Sequence, residues 1–447
     1  MAVVTGVRKV LRIALLSRAF GILMQSFSNY MIVDYDTSEE HLACSVSSDQ
    51  NSAQNNTVNL IVSSMLGGFS KWDSVYFLDI ATHGYRFEQN MAFFPLFPTL
   101  LYTFSLTLQP FKLILNLTDK SLLLLASTFL NTLSFVVASM GLFCLTNSLF
   151  KNPKLAKNVV VLFCVNPSSV FFTATYSESV FAMTQFWGMF FVERNELFIA
   201  SLIFSLGSAT RSNGVISCGF ICYTALKNIT IPYRDAKSKD RITSLKAIAR
   251  NLMKTFMFLA IILLPFVIFQ GYGYYIFCKN PLQKLKSVWC DDSVPLPYRY
   301  IQKHYWNVGF LNYYEIKQIP NFLLVLPIIV MSVWGIREYL IQQRRENVWT
   351  LGLLMPDKNN ILNIFVYTVH LLFLVVFGVT SMHVQVATRM ILSSSPMIYW
   401  IAISWLTPKR PHDTNVHLNR KAHFVCAYFS LYYCLGYLLH CNFYPWT

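Results

Sequence analysis

LMKTFMFLAIILLPFVIFQGYGYYIFC, residues 252–278, holds a single charged side chain, Lys254, in an otherwise apolar and aromatic run. An α-helix rises about 1.5 Å per residue, so roughly 20 such residues cross a ~30 Å hydrocarbon core, and this run is long enough to span a bilayer. Comparable runs at residues 10–31, 93–109, 121–147, 158–175, 179–192, 197–226, 322–340, 361–381, 390–406 and 423–441 are separated by short polar breaks. The pattern predicts an all-α polytopic membrane protein of about 10–11 transmembrane helices. Of 447 residues, 54% are hydrophobic and 13% charged, against the ~25% charged expected of soluble domains. No stretch is left for a separate soluble unit, so residues 1–447 read as one integral membrane domain.

Basic residues give the formal charge of +15, but they collect in short breaks and line no extended face, which argues against nucleic acid as a partner. They read better as orientation signals. Residues 227–254 carry Lys227, Arg234, Lys237, Lys239, Arg241, Lys246, Arg250 and Lys254 against Asp235 and Asp240, which marks this break as cytoplasmic. Arg8, Lys9 and Arg12 ahead of the first run predict a cytoplasmic start and an uncleaved anchor. The acidic loop 32–92 and the aromatic loop 279–321 then belong on the opposite, lumenal side.

Lys151, Lys154 and Lys157 disagree with a count of single spans. Either one short run is re-entrant, or 197–226 is two half-helices broken at Arg211-Ser212-Asn213-Gly214. A break of that kind is tolerated at membrane depth only where protein or a wet cavity satisfies the freed backbone, so it marks a site. Most of the cysteines lie in apolar runs and read as core; Cys44, Cys290 and Cys441 could face an oxidising lumen and pair, in a combination that the sequence leaves open.

The chemistry concentrates in loop 32–92. Asp73 follows Trp72, and residues 65–80 read as a short helix on the membrane surface. Asp73 is either a general base that takes a proton from a sugar hydroxyl, or an N-cap or solvated acid. His83 and Tyr85 flank Gly84 and, with Glu88 and Asn90, are either sugar-binding donors and acceptors or parts of a turn. Asp34-Tyr35-Asp36 has a spacing that can hold a divalent cation, but solvated acids are the stronger reading and no metal site is assigned. Inside apolar runs, Glu178, Arg211 and Arg389 are costly to bury and are expected to face a cavity or one another. Asn213, Gln385 and His383 accompany them. Arginine suits a phosphate because its planar fork donates parallel hydrogen bonds.

The blocks from Trp72-Asp73 to Pro98, Asn166-Pro167 with Tyr176-Ser177-Glu178, Thr210 to Gly214, Tyr305-Trp306-Asn307 to Phe322, His383 to Arg389, and His440 to Thr447 together resemble the PIG-V family of GPI mannosyltransferases. The resemblance runs end to end. It implies a GT-C type glycosyltransferase of the endoplasmic reticulum membrane with a lumenal active site and no cofactor. The implied reaction moves mannose from dolichyl-phosphate-mannose to the first mannose of a GPI-anchor precursor glycolipid, forming an α-1,6 linkage with inversion. Asp73 matches the family's Trp-Asp motif and would be the base, with Asp34 or Asp36 as the rival. Arg389 and Arg211 would hold the leaving phosphate, with Lys303 and His304 behind them. Trp72, His83, Tyr85, Glu88, Glu178, Asn213, Trp306, Asn307, His383 and Gln385 complete the expected substrate site. Nothing in the sequence speaks for or against a stabilising subunit. A transporter is the alternative from another class, since buried charge beside a broken helix also suits a carrier. A non-catalytic assembly factor is the third.

Overall fold

The computed structural model describes residues 2–35, 56–235, 241–279, 286–343, 348–351, 353, 364–407 and 420–446. Helices account for nearly all of the regular structure, and no strand occurs among the described residues. In chain order the helices that build the site are α1 (Ala2–Met31), α2 (Thr57–Leu66), α3 (Ser74–His83), α4 (Leu96–Thr107), α5 (Gln109–Leu115), α6 (Asp119–Phe150), α7 (Pro153–Cys164), α8 (Glu178–Glu193), α9 (Leu197–Thr210), α10 (Cys218–Asp235), α11 (Arg241–Tyr274), α12 (Pro297–Trp306), α13 (Ile319–Gln342), α14 (Phe365–Thr380), α15 (Val384–Ser394), α16 (Met397–Leu406) and α17 (Arg420–His440).

Among the described residues five helices are long and apolar enough to cross a membrane: Gly6–Met31, Asp119–Phe150, Leu245–Lys279, Ile316–Gln342 and Arg420–His440. The pair α15 and α16, bent by 83°, makes a sixth if counted as one span. The sequence count of 10–11 is distributed differently because several apolar runs are carried by shorter pieces, such as α4, α9 and α14. Helix α6 is the central post: 67% of its most apolar window is buried, against 17% for α11, which therefore presents most of its surface to lipid. Around α6 pack α1, α7 and α8. Their starts are set locally, the Thr118 side chain capping α6 at the Ser121 N–H and Asn152 capping α7 at the Leu155 N–H ahead of Pro153.

Where the chain departs from long helices, it does so around one region. Arg211 is extended (φ −152°, ψ 147°) between α9 and the 3-10 turn Ser212–Ser217, so 197–226 is two half-helices. Gly214 makes the turn possible, since a Cβ there would lie 2.4 Å from the carbonyl carbon of Gly207. Residues 65–80, read from sequence as one surface helix, are divided: α2 runs through the 3-10 turn Gly67–Ser70, and α3 starts at Ser74. Between them Trp72 takes a left-handed φ of 58°.

The loop after α11 is closed by a disulfide joining Cys278 to Cys290. This corrects the expectation for the cysteines: Cys290 pairs with Cys278, which the sequence count left inside a span, and Cys441 is buried and unpaired. Cys44 and Asp36 lie outside the described residues.

Candidate active site

Asp73 occupies the N-cap position of α3, yet its carboxylate makes no capping bond. It accepts a hydrogen bond of 2.7 Å from Arg389 Nη2 on α15. The Asp73 backbone N–H donates to the Tyr176 hydroxyl at 3.1 Å, so both ends of the residue are tied to distant parts of the chain. The left-handed Trp72 that precedes it costs about 1–3 kcal/mol in conformational strain. Neighbours hold that turn in place. Lys71 forms an ion pair with Asp34 and lies 4.3 Å from the centre of the Phe443 ring, and Trp72 meets the same ring edge-on at 5.9 Å.

Glu178 opens α8 and is fully buried. It pairs with Arg211 Nη1 and lies 3.5 Å from Arg389 Nη1. Arg211 Nη1 also reaches the Ser177 hydroxyl at 3.4 Å. Four side chains of alternating sign, Asp73, Arg389, Glu178 and Arg211, thus form one chain whose formal charges cancel. Cancellation is what allows such groups at this depth, because an uncompensated ion would carry a penalty of several kcal/mol. The Arg389 guanidinium also rests over the rings of Phe171 (5.1 Å) and Tyr176 (5.3 Å), which shield it from water. Glu178 and Arg211 therefore face one another, as charges inside apolar runs are expected to, and the pair is continuous with Asp73 through Arg389.

Asp73, Arg389 and Arg211 face a cavity of about 910 Å³, with Glu178 buried behind its wall. Trp72, Asp73, Arg211, Asn213, Trp306, His383, Gln385 and Arg389 line it, from elements far apart in sequence. Asn213 donates to the Ser394 hydroxyl at 3.2 Å, which joins the broken helix to the end of α15. His383 hydrogen-bonds through Nε2 to the Trp306 carbonyl and stacks on Tyr313, with ring centroids 4.6 Å apart. Burial holds its imidazole below the usual pKa, against the Trp306 carbonyl and the Asp73 charge, which favour protonation. Phe266, Phe373 and Phe377 form an apolar flank of the same cavity.

Four expected residues lie elsewhere. Glu88 accepts from the Ser287 hydroxyl (2.6 Å), the Trp289 indole (3.2 Å) and the Tyr305 hydroxyl (2.6 Å). Its carboxylate clasps the two polar loops together and has little capacity left for a sugar. Burial would raise its pKa, but those three hydrogen bonds and the nearby His304 ring outweigh it and hold the carboxyl below its ordinary value. His83 pairs with Asp79 at 3.0 Å, in a knot that also takes Arg86 and Asn90. The Tyr85 hydroxyl donates to the Phe93 carbonyl at 2.8 Å. Asn307, left-handed at φ 49°, ends α12. Lys303 and His304 also stay off the cavity wall, whereas Arg299 and Gln302 of the same helix are on it.

Sequence reasoning missed Arg299, Gln302 and His440 as individuals. The signal for the first two was helical: 299, 302 and 306 fall on one face of α12. His440 Nε2 lies 3.3 Å from the Tyr176 hydroxyl, behind Asp73.

The family described as Mannosyltransferase (PIG-V) matches residues 7–447. The chain is 33% identical to the GPI alpha-1,6-mannosyltransferase 2 of Cricetulus griseus, over 98% of each chain. The Homo sapiens protein of the same name matches at 33% identity, again over 98% of each. Similarity extends to the GPI mannosyltransferase 2 of Schizosaccharomyces pombe, at 31% identity over 74% of this chain and 64% of that one.

Proposed function

The chain belongs to the PIG-V mannosyltransferase family, and from that premise we propose that it transfers mannose from dolichyl-phosphate-mannose to the first mannose of a GPI-anchor precursor, forming an α-1,6 linkage at the lumenal face of the endoplasmic reticulum membrane. The observation that carries this reading is the carboxylate of Asp73, held by Arg389 at 2.7 Å on the wall of a cavity with both polar and apolar flanks. A lipid-borne donor and a glycolipid acceptor need such a two-natured space. The assigned partners are these two lipids and the surrounding bilayer; no cofactor is assigned.

In this reading the acceptor's 6-hydroxyl attacks the anomeric carbon of the donor mannose and its proton passes to Asp73. The bond from that carbon to the phosphate oxygen breaks, and its electron pair leaves with dolichyl phosphate. A single displacement inverts the β-linked donor to an α-linked product. The leaving phosphate is already a good anion, so it calls for cationic contact and no general acid. Arg389 touches Asp73 directly, which makes it a positioning residue for the base; holding the phosphate, expected of it from sequence, falls to other cations of the cavity. Trp306 offers an aromatic face to a sugar. Asn213, Gln385 and His383 supply polar atoms on the same walls.

The test is transfer of labelled mannose by membranes from cells that lack the second GPI mannose and express this chain. Wild-type membranes are expected to extend the one-mannose precursor, and Asp73→Asn to lose about 10²–10⁴-fold in rate, the usual contribution of a general base, while accumulating normally. Full activity of Asp73→Asn would remove the base assignment, and no extension by the wild type would remove the reaction. Buried charge beside a broken helix would also suit a carrier, but the family and the relatives matched end to end are mannosyltransferases by name, which favours transfer.

A further inference from the structure

An in-line displacement places base and leaving group on opposite faces of the reacting carbon. In inverting glycoside hydrolases the two opposed groups stand roughly 6.5–9.5 Å apart. Arg389, with a nitrogen 2.7 Å from the Asp73 carboxylate, is on the base's side of that carbon. Arg211 is engaged by Glu178 and Ser177. The third arginine on the wall, Arg299, is exposed and makes no ion pair or side-chain hydrogen bond with any described residue.

Its position is fixed by the helix that carries it. At one end of α12 the Tyr298 hydroxyl bonds Ser212 at 2.7 Å and its backbone N–H donates to Gln270 at 3.1 Å. At the other end Tyr305 donates to Glu88 at 2.6 Å, and the Trp306 ring lies 6.4 Å from Tyr76 and 6.2 Å from Phe93. Arg299 and Trp306 are seven residues apart on the cavity-facing side, about 10 Å along the axis. Trp306 stands by α3, the helix that begins after Asp73, and Tyr298 bonds Ser212 beside Arg211, so α12 runs along the wall with its Arg299 end at the broken helix. Beside it the Tyr298 ring packs on Phe94 (5.5 Å) and Phe266 (6.3 Å), an apolar surface continuous with the lipid-facing α11. A cation free of partners on the cavity wall and a polyprenyl-compatible flank coincide at one residue.

We infer that Arg299 is the residue that grips the phosphate of the polyprenyl-linked donor and stabilises the charge that gathers on it as the sugar leaves; this rests on the reaction proposed above. The phosphate goes from a diester with one negative charge to a monoester with nearly two, so a guanidinium fork holds product more tightly than substrate. The test uses full-length protein in detergent, with dolichyl phosphate as the probe, read both as direct binding and as product inhibition of mannose transfer. Arg299→Gln is expected to weaken dolichyl phosphate binding at least about tenfold and to lower kcat, with the acceptor KM unmoved, because one charge-assisted contact is lost. Arg299→Lys should fall between, keeping the charge without the fork. Should Arg299→Gln fail to fold, Arg299→Lys carries the test through its several-fold weaker binding. Wild-type affinity for dolichyl phosphate in the variant that folds, or no affinity in the wild type, overturns the inference. Binding that depends on Arg299 in a protein that transfers no mannose would uphold it while removing the proposed reaction.

Discussion

Arg389 touches both acids of the charge chain, and the two contacts differ in length: 2.7 Å to Asp73 and 3.5 Å to Glu178. A lysine could serve one acid or the other but could not hold the fork between them. Arg389→Lys should therefore let the base drift, and a displacement of about 1 Å at a reacting group costs on the order of 10²-fold in rate. The expected result is a fall in kcat with the donor KM within about twofold of wild type; a raised donor KM with normal kcat would move Arg389 to the phosphate. At this scale the sequence was informative wherever a charge sat in an apolar run. Glu178, Arg211 and Arg389 stand out there because burying them demands a partner, and the structure joins all three to Asp73, which the Trp-Asp motif marked in a polar loop. It was least informative for polar residues within polar loops. Glu88 and His83 have the right chemistry for a sugar but spend it on Tyr305, Ser287 and Asp79, and Arg299 has no apolar context to mark it.

Two elements decide whether those side chains meet. The first is the broken helix, where Gly214 lies so close to Gly207 that a Cβ would sit 2.5 Å from the Gly207 oxygen and from the Ser208 nitrogen. Those are backbone atoms and cannot rotate aside. Gly214→Ala should push the turn away from α9, cost about 1–3 kcal/mol, and reduce transfer by displacing Arg211 and Asn213; thermal unfolding alongside the transfer assay checks both. The break was legible because Arg211-Ser212-Asn213-Gly214 interrupts an apolar run. The division at Trp72 was not, since a left-handed tryptophan has no sequence signature. The second element is the clasp at Glu88. Its carboxyl is held below the ordinary pKa, so its contribution is fully present above the unfolded-state value and is lost as pH falls through the lowered folded-state one. Glu88→Gln should lower stability by about 1–3 kcal/mol near neutral pH, and the gap from wild type should close on acidification. Thermal unfolding in detergent across that range measures it; a gap that persists in acid would mean that the clasp does not depend on the charge.

On the scale of the whole molecule, composition and hydropathy were enough to predict a helical, lipid-embedded chain, because the cost of unpaired backbone in hydrocarbon leaves few other solutions. They were not enough to predict how the spans are divided. The 83° bend between α15 and α16 falls at Pro396, a helix breaker, whereas the short α4 and α9 pack against α6 and α8, contacts that no single run records. The charges of the site come from α3, α8, α15 and the break after α9, so the bundle must be assembled before the cavity exists. Residues 440–446 complete it: His440 backs Tyr176, and Pro445 and Trp446 line the cavity beside Trp72. A chain cut before His440 would keep all four charges of the site and lose part of the wall around them.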